Sequence, residues 1–144
     1  MFLKKISFLL VYCLSIYLRY TPIEYGRWRL LTIARKYLQK LYPVNCELEI
    51  DTRHGFKVKV NLDDYVKQEL FLWGEYEPDV TTLLKNILKE GDCFVDVGAN
   101  IGYFSLLASK IVGEKGYVHA FEPIFTSELA NNISINKYEN CNYI

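Results

Sequence analysis

An α/β fold built on parallel strands is what this sequence predicts, on three observations. Cys93-Phe94-Val95-Asp96-Val97 is a short apolar run of the kind expected for a parallel strand buried on both faces. Gly98-Ala99-Asn100-Ile101-Gly102 follows as a tight loop and leads into Tyr103 to Val112, where Phe104, Leu107, Ala108 and Ile111 recur at helical spacing. A second strand, Tyr117 to Phe121, then ends in Glu122-Pro123. Strand, loop, helix and strand in that order form the first βαβ unit of a Rossmann-like sheet, spanning residues 91 to 123.

The elements leading to this unit are also legible. From Cys46 to Leu62 apolar residues alternate, Leu48 and Ile50 first, then Phe56, Val58, Val60 and Leu62 after a polar turn ending in Gly55, which predicts a β-hairpin. Asp63 is placed to cap a short helix through Leu72 that Gly74 breaks. Pro78 then opens a helix running to Glu90 and closed by Gly91.

Ahead of the hairpin lies a basic head. Ile6 to Leu18 is a 13-residue apolar run after Lys4 and Lys5, shorter than the ~20 residues that cross a bilayer as a helix. Arg19-Tyr20-Thr21-Pro22 offers no small-residue cleavage site, so secretion is not expected and the cytoplasm is. Beyond Pro22, Leu30, Leu31, Ala34, Tyr37, Leu38 and Leu41 keep helical spacing opposite Arg27, Arg29, Arg35, Lys36 and Lys40. Such a helix either lies among lipid headgroups, giving peripheral membrane contact through residues 1–42, or docks on its own domain. The organisation read from these signals is a helical head over 1–44, a hairpin with lead-in helices over 45–90, and the start of the main domain over 91–144.

Composition narrows the class. At 144 residues the chain has room for one ordinary domain, and 51% hydrophobic residues with 12 Tyr and 8 Phe exclude intrinsic disorder. The net charge of zero conceals a surplus of seven positive charges over residues 1–40, where eight Lys or Arg face only Glu24. Cys13, Cys46, Cys93 and Cys141 are widely spaced and His54 and His119 are the only histidines, so neither a disulfide framework nor a metal site is expected.

The chemistry concentrates at the βαβ unit. A carboxylate in a buried strand is costly without a partner, so Asp96 is where a ligand's ammonium or hydroxyl could pair. Glycines at 98 and 102 permit close backbone approach, and free amides at the helix start can face an anionic group. Glu122 lies 20 residues after Gly102, at the end of the neighbouring strand, where one carboxylate can accept from two ribose hydroxyls. A dinucleotide fingerprint would need glycine at 100 and 103, where Asn100 and Tyr103 stand, and no phosphate-binding Gly-Lys-Ser/Thr loop is present. A nucleoside cofactor without phosphates fits these residues.

The motifs VDVGANIGYFSLLAS, VHAFEP and LANNISIN, with GEYEP at Gly74 to Pro78 and YTPIEYGRWRL in the head, resemble those of FkbM-type methyltransferases; the match covers roughly residues 70 to 144. The resemblance implies a class I S-adenosylmethionine fold and methyl transfer to a hydroxyl of a sugar, polyketide or other small metabolite, with no nucleic acid involved. It places Asp96, Gly98, Asn100 and Gly102 around the methionine part of the cofactor, Glu122 on the ribose and Glu77 nearby, and it names no catalytic base. The chain departs from the family in length: it reaches only a third strand at Cys141 to Ile144, so a fold truncated after about three strands is expected, with the 93–97 strand exposing an edge prone to association. An inert fragment retaining only cofactor motifs, and a membrane-associated interaction module, are the rival expectations.

Overall fold

Periodicity and punctuation become elements much as the residues dictate. A computed structural model describes residues 2–20, 29, 32–33, 47–62 and 64–144. The expected amphipathic segment from Arg27 to Leu41 lies outside the described residues, apart from Arg29, Thr32 and Ile33, as do Cys46 and the proposed cap Asp63.

The head begins with α1 (Phe2–Tyr20), which continues past the 13-residue apolar run at both ends. Its inner face packs on a later helix, α2 (Tyr65–Trp73), where the rings of Phe8 and Tyr12 lie 6.4 and 6.0 Å from that of Phe71. Arg19 turns inward and is buried: Nη2 and Nε donate to the Phe71 carbonyl at 2.6 and 3.0 Å, and Nη1 to that of Asp51 at 3.2 Å. These bonds satisfy a carbonyl at the end of α2 and lock α1 onto the body. Among the described residues no helix is long and apolar enough to cross a membrane.

The hairpin forms as its alternation requires, with β1 (Leu48–Asp51) antiparallel to β2 (Lys57–Val60) and Ile50 opposite Val58. Asp64 caps α2 by accepting from the Lys67 amide at 3.0 Å, and Gly74, at φ 65°, ends it. Lys67 to Trp73 are all buried, because α2 lies between α1 and the rest of the core. α3 (Pro78–Ile87) starts at its proline and stops three residues before the expected end.

The βαβ unit extends into β3 (Cys93–Val97), α4 (Tyr103–Val112), β4 (Tyr117–Phe121), α5 (Thr126–Asn136) and β5 (Cys141–Tyr143). The three strands are parallel in the order β3-β4-β5, with Val95 opposite His119 and His119 opposite Asn142. The chain moves one way across the sheet, so both crossover helices fall on one face. There Val118, Ala120 and Cys141 are buried. On the opposite face Val95, Tyr117 and Phe121 are exposed and Val97 is 81% exposed, which corrects the expectation of a strand buried on both faces.

A bond pattern absent from the motifs joins the hairpin to this unit. Edge strand β2 presents the Lys57 and Lys59 amides to α5, where Asn136 Oδ1 and Asn132 Oδ1 accept them, each at 2.7 Å. Asn136 Nδ2 returns a bond to the Lys57 carbonyl at 2.7 Å, and Asn132 Nδ2 donates to the Ile101 carbonyl at 2.8 Å. Asn132 is fully buried and so ties a sheet edge, a helix and the glycine loop together.

Asn132→Ala leaves the Lys59 amide and the Ile101 carbonyl without this partner and is expected to lower unfolding free energy by about 2 kcal/mol or more, read from the urea midpoint. The bare sheet face is expected to make residues 1–144 self-associate, with sedimentation velocity shifting with concentration, and Val95→Lys is expected to restore the monomer. A V95K variant that sediments like the parent contradicts this.

Candidate functional site

The glycine loop is built by backbone conformations that side chains rarely adopt: Gly98 at φ 80°, Asn100 at 53° and Gly102 at 91°. The two glycines serve different ends. A Cβ on Gly102 would sit 2.6 Å from Leu129 Cδ1, so this residue lets α5 pack against the loop. A Cβ on Gly98 would meet nothing within 4 Å, so the space beside it is open.

The loop amides ahead of the helix start are engaged within the chain. Gly98 and Ala99 both donate to the Phe121 carbonyl, at 2.8 and 3.1 Å, and Gly102 to that of Ala99 at 2.8 Å. Ile101 donates to Asn100 Oδ1 at 2.7 Å and Asn100 to Glu122 Oε2 at 2.8 Å. All five amides from 98 to 102 are spent on holding the loop's shape.

Both carboxylates lie at this end of the strands, and each is engaged by the chain itself. Asp96 Oδ2 accepts from Ser105 Oγ at 2.6 Å, which ties the end of β3 to the first turn of α4. Burial pushes the Asp96 carboxyl above its usual range, the Ser105 bonds oppose that, and the Glu122 charge adds to it. Ser105, fully buried, was missed in the sequence; its one signal is a hydroxyl on the inward face of an apolar helix.

Glu122 is 6% exposed and receives three amides: Asn100 on Oε2, then Ile124 and Phe125 on Oε1 at 2.7 and 3.1 Å. Burial pushes its carboxyl up, but the three N–H donors outweigh that and hold it below the ordinary value. A carboxylate offers about four acceptor positions, so one remains, on Oε2. The expected double grip on two ribose hydroxyls thus exceeds what this carboxylate has left.

Glu77 stands exposed at the N-cap of α3 with φ 40° and makes no capping bond there. Burial, then the charge and hydrogen bond of Glu77, push the Tyr76 phenol up to about 12. The Tyr76 ring meets those of Tyr103 and Phe104 at 6.2 and 5.9 Å, and Thr81 Oγ1 donates to the Tyr76 carbonyl at 2.8 Å. The GEYEP segment is thereby brought to the start of α4, directly after Gly102. His54 lies apart at the hairpin turn, 3.0 Å from Glu75 Oε1, and His119 on the bare face of β4.

No family model matches the sequence and no curated protein matches it. Solved structures do. TYW2 of M. jannaschii, in complex with AdoMet, is 26% identical over 72% of this chain and 44% of its own, with a TM-score of 0.56. A SAM-dependent methyltransferase from Aquifex aeolicus is 29% identical over 58% of this chain and 42% of its own, with a TM-score of 0.44. The fold is that of the S-adenosylmethionine-dependent methyltransferases. The chain spans under half the length of either methyltransferase-fold protein.

One expectation is overturned here. A small hydroxyl-bearing acceptor, with nucleic acid excluded, is not upheld by the comparisons: the likeness to TYW2 carries the fold and the AdoMet-binding architecture and gives no such acceptor. The physical reason lies in what the motifs report. Asp96, Gly98, Asn100, Gly102 and Glu122 form one loop and its supports, and none of them reads an acceptor.

Glu122→Gln directs an amide NH2 at one set of its three N–H donors. Because folding lowers the Glu122 pKa, its stabilisation stands above the ordinary 4.5 and is lost as pH falls through the folded value. Asp96 has the opposite sign: with a raised folded pKa, its contribution is present at low pH and lost as pH rises. Urea midpoints followed from acid to neutral pH are expected to show a flatter acid branch for E122Q than for the parent, with a lower plateau at neutral pH.

Proposed function

We propose that this chain is the donor-binding part of an S-adenosylmethionine-dependent methyltransferase, of the FkbM type to which its motifs are similar. The observation that carries the reading is the Glu122 carboxylate, ionised and fixed by three backbone amides, with one acceptor position left at the sheet's carboxyl edge. Ligands of open α/β sheets bind outside this edge.

Within the proposal Glu122 accepts a ribose hydroxyl through Oε2, and Asp96, steadied by Ser105, faces the methionine part. Gly98 leaves room for close approach, Asn100 and Gly102 keep the loop in its shape, and Glu77 approaches from the lead-in segment. The bound cofactor would supply an electrophilic sulfonium methyl group. The chain's own contribution is to hold the donor still, since fixed orientation of reacting groups can be worth ~7–11 kcal/mol. Asn100 and Tyr103, standing where a dinucleotide fingerprint needs glycine, support a cofactor without phosphates. Oxygen as the methylated atom rests on the FkbM-like motifs alone.

A second reading, an inert fragment, is favoured by the bare sheet face. Titration calorimetry with S-adenosylmethionine separates the two. The proposal expects saturable binding, weakened at least about tenfold in Glu122→Gln, as loss of a charged acceptor implies. No heat at millimolar cofactor supports the fragment, and unchanged affinity in E122Q removes Glu122 from the ribose.

A further inference from the structure

α1 carries more apolar surface than its packing on α2 uses. Phe8 and Tyr12 lie against Phe71, and Ser15, Leu18 and Arg19 are buried on the same side. Leu9, Leu10, Leu14, Ile16, Tyr17 and Tyr20 are exposed, Leu10 by 66% and Tyr20 by 67%. At about 100° per residue these six fall within about 160° of arc, on one side of the helix, in a stripe about 16 Å long. Between Phe8 and Tyr20 the only charged residue is Arg19, and it points inward to the Phe71 carbonyl. An uninterrupted apolar stripe of this kind marks an interface.

A second copy of the chain and a lipid surface could both cover such a stripe, and charge decides between them. Residues 1–40 carry eight Lys or Arg against Glu24, with Lys4 and Lys5 in the first turns of α1 itself. Two such heads brought face to face repel, whereas anionic headgroups neutralise them. Tyr20, an apolar ring with a polar tip, suits the boundary between headgroup and acyl chain.

We propose that the outer stripe of α1 docks this protein on an anionic lipid surface, with the helix lying in the plane of the headgroups. Its inner side stays on α2, so the body is held against the surface without α1 crossing the bilayer.

Flotation with phosphatidylcholine–phosphatidylserine vesicles tests this, carried out in the Val95→Lys background so that the sheet face does not contribute. The background protein is expected to float with these vesicles and less with pure phosphatidylcholine. Leu10→Asp with Leu14→Asp is expected to reduce partition at least about tenfold, since both side chains would enter the apolar boundary. Leu83→Asp, on the 54% exposed Leu83 of α3, is expected to float like the background. Circular dichroism checks that each variant is folded. Equal flotation of the background and L10D/L14D, flotation of neither, or an equal loss in L83D overturns the proposal. So does a dimer that L10D/L14D abolishes in a protein that binds no vesicles, because the stripe then belongs to a second copy.

Discussion

The Glu122 carboxylate accepts the amide of Asn100 from one loop and those of Ile124 and Phe125 from the next, and the geometry of the whole sheet edge follows from that arrangement. Two loops leave neighbouring parallel strands at the same end, and each carries amides that need a partner. One ionised side chain satisfies three of them, and bonds to a charged acceptor are worth about 1.5–3 kcal/mol each. The arrangement also holds the carboxyl below its ordinary value against the upward push of burial. A residue that a motif would label as ligand-binding is thus first a structural residue, with one acceptor position to spare.

The second constraint is supplied by α5. Leu129 fills the space that the missing Cβ of Gly102 leaves, and Asn132 holds the Ile101 carbonyl while accepting the Lys59 amide. The loop is therefore moulded from below by a helix that comes 24 residues and more after it in the chain. The same asparagines close the β2 edge, so the hairpin is part of the site's foundation. Buried apolar side chains of the hairpin, α2 and the βαβ unit join in one cluster, which is why a disturbance in any of them reaches the loop.

The sheet itself is half dressed. Its order makes β3 an edge, and both of its crossover helices lie on the face carrying Val118 and Ala120. Parallel strands are stable when both faces are covered, and here Val97 and Tyr117 meet solvent. Exposed apolar area on one sheet face and on α1 coexists with a well-satisfied polar edge at the carboxyl ends of the strands.

Sequence by itself determined the element types, the parallel βαβ unit and the residues around its loop, because those signals act over a few positions. Alternation at Val58 and Val60, proline at 78 and glycine at 74, 98 and 102 each constrain their own backbone. Only tertiary structure decided what the polar groups bond to. Ser105 reaches Asp96 across nine residues and Asn132 reaches Lys59 across 73, and no local pattern encodes a partner at those separations. Burial of β3 was misread for the same reason: an apolar run shows that a strand can be covered on both faces, while the direction in which the chain crosses the sheet decides which face receives the helices.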